Sequence, residues 1–168
     1  GNMKKGKKLL ILVISTLILV GIDQYTKILV VKNISIYEHI DLIKKLLYLT
    51  YIQNTGAAFS MLEGAGNIFF SLITFASLGF LFYLYMTTDD KRYQLGYVLI
   101  FAGAIGNYID RMMLNYVRDF IGVYIFGWEF PIFNFADICI TCGFIFVIGL
   151  MLFDEIKEKS RWKKELSK

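Results

Sequence analysis

Two acidic residues, Asp119 and Asp137, stand beside apolar segments of this sequence with only Arg118 nearby as a counter-ion. Asp137 opens an apolar stretch that continues through Phe153, and an ionisable group at the edge of a membrane segment is costly enough to indicate a functional site. Two carboxyl groups that meet in a partly dry site cannot both ionise readily, so one keeps its proton at neutral pH. The ionised carboxylate can deprotonate a water for attack on an amide carbonyl, which the protonated partner polarises. This pattern favours an aspartic-type hydrolase, with a plain interfacial role for both acids left open.

Other acidic residues have simpler structural interpretations. Asp23 has Lys27 four residues later, on the same face of a helix, so a mutual ion pair is sufficient to explain both. Asp110 has Arg111 beside it, and packing or snorkelling at a helix end is sufficient for that pair. Asp41 lies in a charged segment and is interpreted as a solvated surface charge.

Metal, thiol and serine chemistry have weaker support. The single histidine, His39, is predicted to lie on the surface, and no convincing base accompanies a serine. Cys139 and Cys142 form a CxxC pattern, but they fall inside an apolar helix, where cysteine packs as a small hydrophobe. We therefore expect neither a metal nor another cofactor.

The composition is that of an integral membrane protein with one domain spanning residues 1–168. The chain is 57% hydrophobic and 17% aromatic, with a mean hydropathy of +0.56. Its net charge of +4 comes from basic residues at the chain ends and in short loops, which argues against nucleic-acid binding. We interpret Gly1 and Asn2, ahead of Met3, as the remnant of a cleaved expression tag.

The fold class expected is mainly α, with four transmembrane helices and both termini cytoplasmic. The apolar runs predict helices over about residues 9–31, 68–86, 93–112 and 136–153, with outer loops at about 32–67 and 113–135 and a solvated charged tail after Phe153. Twelve of the 18 Lys and Arg residues then lie on the inner side and six on the outer side, which sets this orientation.

This arrangement gathers polar residues at the outer ends of the helices, whereas the inner halves carry no equivalent set. The residues concerned are Asp23, Lys27, Asn107, Asp110, Arg111 and Asp137. The outer loops add a short amphipathic helix around Tyr37–Lys45 and strand-like stretches at Leu47–Gln53 and Val117–Phe126. Asn54-Thr55-Gly56 is predicted to form a turn. A small β-sheet on the outer face is therefore expected.

Five sequence blocks, in this order along nearly the whole chain, resemble the signature blocks of the bacterial lipoprotein signal peptidase family (signal peptidase II). They are Asp23-Gln24-Tyr25-Thr26-Lys27, Asn54-Thr55-Gly56-Ala57-Ala58-Phe59, Gly103-Ala104-Ile105-Gly106-Asn107-Tyr108-Ile109-Asp110-Arg111, Val117-Arg118-Asp119-Phe120 and Phe133-Asn134-Phe135-Ala136-Asp137. A match of five ordered blocks is highly specific, whereas any one block alone is weak. At Arg118 no particular residue type is expected.

The resemblance implies a membrane aspartic endopeptidase that cuts prolipoproteins on the amino side of a diacylglyceryl-modified cysteine. It implies that Asp119 and Asp137 form the catalytic dyad, that Asn107, Arg111 and Asn134 hold substrate or position the dyad, and that globomycin blocks the cleft. The substrate's two lipid chains would place the scissile bond at the outer leaflet of the bacterial cytoplasmic membrane, among membrane lipids. The enzyme is expected to be a monomer.

Further supporting roles are hypothesised for residues of the same blocks. Asn54 and Gly56 are expected to offer hydrogen bonds to the extended peptide, as an edge strand does. Asn134 is expected to cap the fourth helix through its side-chain oxygen. Lys27 has two interpretations, steering of a lipid phosphate or pairing with Asp23. The remaining supporting positions are Asp23, Asp110 and Ala136.

Two other functional classes stay open on the sequence alone. A small four-helix transporter would also carry intramembrane acids, although these are expected near the midplane between repeats, and no repeat is evident. A non-catalytic membrane scaffold would tolerate Asp119→Asn and Asp137→Asn. The peptidase interpretation is preferred because the acids lie at the outer edge.

Overall fold

A computed structural model describes residues 4–56 and 66–166, which form four long helices and a small antiparallel sheet. The element order is α1 (Lys5–Asn33), β1 (Ile40–Ile43), β2 (Leu47–Asn54), α2 (Gly66–Thr87), α3 (Lys91–Leu114), β3 (Val117–Ile125), β4 (Trp128–Glu129) and α4 (Phe135–Leu166). Residues 57–59 of the second sequence block lie outside the described part of the chain. The predicted mainly helical class with a small sheet is confirmed.

Three of the described helices, α1, α2 and α4, are long and apolar enough to cross a membrane. Helix α3 has 24 residues, about 36 Å at 1.5 Å per residue, so its length also suits a crossing. Its hydropathy is lower because several of its buried residues are polar, among them Gln94, Asn107 and Asp110. These side chains are hydrogen-bonded within the protein.

Each helix extends beyond the predicted apolar run, and α4 does so most. It continues 13 residues past Phe153 to Leu166, so the charged tail is helical over this length. Glu155 and Lys159 form an ion pair of 2.6 Å one helical turn apart within this extension. The end of an apolar run marks where the chain becomes polar. The helix itself ends only where its backbone hydrogen bonds end, so it can be longer than the apolar run.

Helices α3 and α4 approach each other closely through glycines. A Cβ atom on Gly103 would lie 2.5 Å from the carbonyl oxygen of Ala136, and one on Gly143 would lie 2.8 Å from that of Gly96. Any larger residue at these positions would force the two backbones apart. Small residues at helix crossings are the usual means of close packing in membrane proteins.

The sheet has the order β1-β2-β3-β4, with antiparallel neighbours throughout. The predicted strands at Leu47–Gln53 and Val117–Phe126 are confirmed as β2 and β3. A buried cluster packs the sheet against the end of α1, with Val30 and Ile34 from the helix end and Tyr51 and Phe120 from the strands. The sheet is therefore attached at the end of α1 that carries Asp23 and Lys27.

The short amphipathic helix predicted around Tyr37–Lys45 is wrong. This segment contains strand β1, whose residues Ile40 and Ile43 pair with β2. Tyr37 and Lys45 both adopt positive φ angles, of 63° and 61°, which are turn conformations incompatible with a continuous helix. Apolar residues spaced three apart fit either a helix or a bulged strand, and the neighbouring strand decides between them.

Buried polar groups also occur at the opposite end of the helices, where the sequence interpretation expected no equivalent set. Lys8 is 4% exposed and its ammonium lies 2.7 Å from Asp89 Oδ1. The same ammonium donates to the carbonyl oxygens of Met86 and Thr88, at the end of α2. Lys8 thus caps the C-terminal end of α2 with a cation, so buried polar groups are not confined to one end of the helices.

Candidate active site

Asp137 is fixed by the start of helix α4. Asn134 immediately precedes the helix, and its side-chain oxygen accepts a hydrogen bond of 3.0 Å from the Asp137 backbone N–H. Asp137 Oδ2 in turn accepts from the Asn134 backbone N–H at 3.1 Å. The two residues form a reciprocal capping box, so the predicted cap is confirmed. The carboxylate also lies at the helix N-terminus, where the helix dipole stabilises negative charge.

Asp119 is brought to the same place by strand β3. The backbone N–H groups of Phe120 and Ile121 donate to the carbonyl oxygen of Phe133 at 3.0 and 2.8 Å, and the Phe133 N–H donates to Ile121 at 3.0 Å. The segment that leads into α4 is therefore bound along β3. This pairing places Asn134 beside Asp119, whose carboxyl is almost completely buried at 3% exposure.

Asn134 connects the two acids through its side chain and its backbone. Its Nδ2 donates 2.8 Å to Asp119 Oδ1 and 3.0 Å to Asn107 Oδ1. Asn107 Nδ2 donates 2.8 Å to Asp137 Oδ1, and Asn54 Nδ2 donates 3.0 Å to Asp119 Oδ2. Each oxygen of both carboxyl groups thus accepts at least one hydrogen bond, and the two acids share one network.

Burial makes Asp119 easy to protonate. Burial is the largest influence on the pKa of Asp119 and raises it, and the negative charge of Asp137 raises it further. Hydrogen bonds from Asn54 and Asn134 lower the pKa by less, so the net pKa is about 6 against an ordinary value of 3.8. A carboxyl group with a pKa near neutrality can both hold and release a proton at physiological pH.

Beneath the two acids lies a fully buried ammonium group. Lys27 Nζ contacts Asp23 Oδ2 at 2.8 Å, Asp110 Oδ2 at 3.4 Å and Asn107 Oδ1 at 3.2 Å, with 0% of its side chain exposed. The predicted pairing with Asp23 is confirmed, and steering of a lipid phosphate by Lys27 is wrong because solvent and lipid do not reach it. Lys27 instead orients Asn107, which holds Asp137.

Asp23 connects this layer to helix α4. Its Oδ1 accepts a hydrogen bond of 3.0 Å from the backbone N–H of Ala136, in the first turn of α4. Gly106 makes room for it, since a Cβ there would lie 2.5 Å from Asp23 Oδ2. The predicted supporting positions Asp23 and Ala136 therefore meet in one contact.

Arg118 is the residue whose contacts the sequence interpretation missed. Its guanidinium bonds both oxygens of Asp110, at 3.1 and 2.9 Å, and its Nη2 also donates 2.8 Å to Gln24 Oε1. These hydrogen bonds raise the pKa of Arg118 above its ordinary value. Asp110 is thus paired with Arg118 and Lys27, and the expected partner Arg111 was wrong. The alternation of side chains along β3 places Arg118 and Asp119 on opposite faces, so Arg118 is no counter-ion for the dyad.

Arg111 has a different environment. Its guanidinium carbon lies 4.6 Å from the centroid of the Phe70 ring, a cation–π geometry. Among the residues that the structure describes, its side chain makes no hydrogen bond or ion pair. Its charge nevertheless acts on the same region, since Asp137 and Asp119 are the acids with the largest electrostatic influence on it.

The predicted turn after β2 is present at Asn54-Thr55-Gly56. The Gly56 N–H donates 2.9 Å to Asn54 Oδ1, and Gly56 has a φ of 64°, a conformation that favours glycine. This bond orients the Asn54 amide so that its Nδ2 faces Asp119. Strand β2 has β3 beside Ile52–Asn54 on one edge, and no other described strand pairs with its far edge there. The proposed edge interaction with a peptide stays a prediction.

An apolar pocket of about 450 Å³ adjoins Asp137. Its lining residues are Phe130, Pro131, Ile132, Phe133, Asp137, Ile138, Thr141 and Cys142. Cys142 is exposed at this pocket, whereas Cys139 is buried. His39 is remote from these cysteines in the sequence and lies on the sheet surface beside Asp41. The pocket suits an apolar side chain or a lipid chain placed next to a carboxyl group.

A family model described as signal peptidase (SPase) II matches residues 15–153 of this chain. Among similar proteins, the lipoprotein signal peptidase of Staphylococcus carnosus is 40% identical over 159 residues, covering 94% of this chain and 99% of that protein. The lipoprotein signal peptidase of Bacillus subtilis is 39% identical over 145 residues, covering 85% and 94%.

A solved structure of a bacterial membrane enzyme has the same fold. It superposes with a TM-score of 0.78 at 37% sequence identity and covers 90% of this chain and 96% of that one. A second structure of a bacterial membrane enzyme gives a TM-score of 0.77 at 36% identity. The similarity therefore extends over both the helices and the sheet that carry the candidate site.

Proposed function

The chain belongs to the lipoprotein signal peptidase (signal peptidase II) family, a family of membrane enzymes that remove signal peptides from prolipoproteins, and we propose that Asp119 and Asp137 are its catalytic pair. The further proposals are that cleavage falls on the amino side of a diacylglyceryl-modified cysteine, and that globomycin competes for the same cleft. Family membership makes the chain a peptidase. The assignment of individual residues is ours.

The observation that carries this proposal is the position of Asn134 between the acids. One amide proton reaches Asp119 Oδ1 at 2.8 Å, while the backbone N–H reaches Asp137 Oδ2 at 3.1 Å. A single residue thus fixes both carboxyl groups relative to each other. Aspartic hydrolysis requires two carboxyl groups at fixed relative positions, because both must act on one water and one carbonyl.

In the proposed reaction the pair shares one proton. The ionised carboxylate takes a proton from a water molecule, and the water oxygen bonds to the scissile carbonyl carbon. The protonated carboxyl gives its proton to the carbonyl oxygen, which yields a neutral tetrahedral intermediate. The first carboxyl then gives its proton to the amide nitrogen, and the second carboxylate takes a proton back from a hydroxyl of the intermediate. The C–N bond breaks, the signal peptide leaves as an acid and the lipoprotein as an amine, and the pair again holds one shared proton. The raised pKa of Asp119 supports a shared proton near neutral pH.

Substrate binding is assigned to three features around the pair. The Arg111 guanidinium, held against Phe70, is proposed to donate to peptide carbonyl groups. The apolar pocket beside Asp137 is proposed to receive an apolar substrate group. Asn54 and Gly56 are proposed to border the extended peptide, with Asn54 also orienting Asp119.

We propose that the whole chain is one membrane peptidase domain in which α3 also crosses, giving four spans with both termini cytoplasmic. The 12 to 6 distribution of Lys and Arg supports this orientation. The catalytic pair then lies at the outer leaflet, where two lipid chains would hold the substrate cysteine. The enzyme is proposed to act as a monomer, because both acids come from one chain.

The test is cleavage of a diacylglyceryl-modified prolipoprotein peptide by purified protein in detergent, with a chelator present throughout. Wild type is compared with Asp119→Asn, Asp137→Asn and the control Asp41→Asn, which removes an exposed acid on the sheet. We expect wild type and the control to cleave and both dyad variants to lose at least about 10³-fold in rate while remaining folded. Substantial cleavage by either dyad variant would refute the assignment and favour a transporter or scaffold role for these acids.

A further inference from the structure

A long groove runs between α1 and α3 at the end of the molecule opposite to the catalytic pair. It has a volume of about 560 Å³, and Tyr85 of α2 also lines it. The residues from α1 are Lys7, Ile11, Ser15, Ile18 and Leu19, and those from α3 are Lys91, Gln94, Leu95, Val98 and Leu99. Both sets recur every three or four residues, so each forms one stripe along its helix.

Each stripe begins with a lysine and continues with mainly apolar residues. Lys7 and Lys91 lie near the N-termini of two helices that run in the same direction, so both ammonium groups stand at the same end of the groove. Within residues 4–56 and 66–166, neither side chain has a hydrogen-bond or ion-pair partner. Their neighbour Lys8 differs, because Asp89 at 2.7 Å satisfies it. The groove thus has two unneutralised cations at its mouth.

The apolar walls have the length of a lipid chain in one leaflet. From Lys7 to Ile18 the helix rises 11 residues, about 17 Å at 1.5 Å per residue. One leaflet contributes about half of the roughly 30 Å hydrocarbon core. Ile18 and Leu95 are exposed along the walls, at 57% and 53%, so a bound chain would cover apolar surface.

We infer that this groove binds an anionic phospholipid, with its phosphate at Lys7 and Lys91 and one acyl chain lying along the walls between α1 and α3. Charge complementarity identifies the headgroup, and the apolar concave walls identify the chain. The helices touch directly at the other end, where Gln24 donates to the Gly106 carbonyl at 3.2 Å. A lipid here would fill the space between the same two helices and stabilise their packing. This inference is independent of the aspartic dyad.

The experiment measures lipid binding to the full chain in detergent by native mass spectrometry. Dioleoyl phosphatidylglycerol is titrated against dioleoyl phosphatidylcholine, with wild type, the double variant Lys7→Gln/Lys91→Gln and the control Lys157→Gln/Lys163→Gln. The control removes two exposed lysines from the α4 extension and leaves the groove intact. Since a surface lysine contributes about fivefold to anionic lipid affinity, the groove variant should lose about 25-fold in phosphatidylglycerol affinity and the control little.

A second variant tests the walls separately from the charges. Ser15→Trp places a large ring in the groove and keeps both lysines, so it should displace the acyl chain and abolish the bound phosphatidylglycerol. Glycerol phosphate, which has the headgroup charge without chains, should bind no variant measurably. The inference is overturned if the groove variant matches the control, if Ser15→Trp retains full lipid binding, or if glycerol phosphate binds as tightly as the lipid. Retained prolipoprotein cleavage verifies that each variant is folded.

Discussion

Replacing Arg118 with glutamine should strongly destabilise the fold, although this residue is not expected to act on substrate. Its guanidinium is 11% exposed and holds both oxygens of Asp110, which is itself 0% exposed. Glutamine removes the positive charge, so the buried carboxylate of Asp110 loses one of the two cations that balance its charge. The perturbation therefore tests whether the buried ion pair holds β3 against α1 and α3.

The structure sets the expected size of this loss. Removing one partner of a buried ion pair costs about 3–5 kcal/mol. Asp110 keeps Lys27 at 3.4 Å and the Gln24 amide at 3.0 Å, so the lower end, about 3 kcal/mol, is expected. In a domain of this length that corresponds to a drop of about 6–12 °C in the thermal midpoint. Arg118→Lys keeps the charge but loses the two-pronged contact, and should cost about 1–2 kcal/mol.

The assay is the thermal midpoint of purified protein in one detergent, read by intrinsic fluorescence at a fixed heating rate. Arg92→Gln is the matched control, because Arg92 forms its ion pairs with Asp90 and Asp154 on the exposed surface. Exposed pairs contribute little, so the control midpoint should stay nearly unchanged. If Arg118→Gln and Arg92→Gln shift the midpoint equally, the argument that a buried pair fastens β3 is refuted. The thermal midpoint should increase from Arg118→Gln to Arg118→Lys to wild type.

Three further predictions concern the network around the dyad. Asp119 binds more protons in the folded than in the unfolded state between pH 3.8 and about 6, so its contribution to stability falls as pH rises through that window. Relative to wild type, Asp119→Asn should therefore gain about 3 kcal/mol between pH 4 and pH 6, as measured by thermal midpoints across pH, and a difference that is equal at all pH values would contradict this. Gly106→Ala should cost about 1–3 kcal/mol because its Cβ would meet Asp23, whereas Gly79→Ala, with no atom within 4 Å, should be neutral or slightly stabilising in the same melts. Asn54→Ala removes the 3.0 Å bond to Asp119 and should reduce cleavage about tenfold with little change in midpoint, and an unchanged rate would show that this bond does not orient the acid.

The helices could be predicted from hydropathy, but their ends and the sheet edge could not. Hydropathy detects the residues that meet lipid, and the charged extension of α4 beyond Phe153 is helical for local reasons such as its Glu155–Lys159 pair. Strand β1 has four residues and alternation too short to separate it from a helix turn. Its conformation is determined by the neighbouring β2, which no local pattern encodes.

The sequence predicted which residues lie at the site better than it predicted which of them contact each other. The cap formed by Asn134 follows from its position three residues before Asp137, since capping is a local interaction. The pairing of Arg118 with Asp110 depends on how the chain turns between α3 and β3, and the adjacent Arg111 was the natural but wrong choice. Arg118 was nevertheless open to prediction in part, because alternation along a strand turns it away from Asp119.

The shared position of Asn134 has a consequence for how the enzyme is made. The acids are contributed by β3 and by the last helix, and the residues that orient them begin at Asp23 in the first helix. During synthesis, α1, α3 and the sheet precede α4, and Asp119 lacks its second acid until α4 docks. On the proposed assignment of these two acids, the chain cannot cleave a substrate until its last helix has docked beside β3.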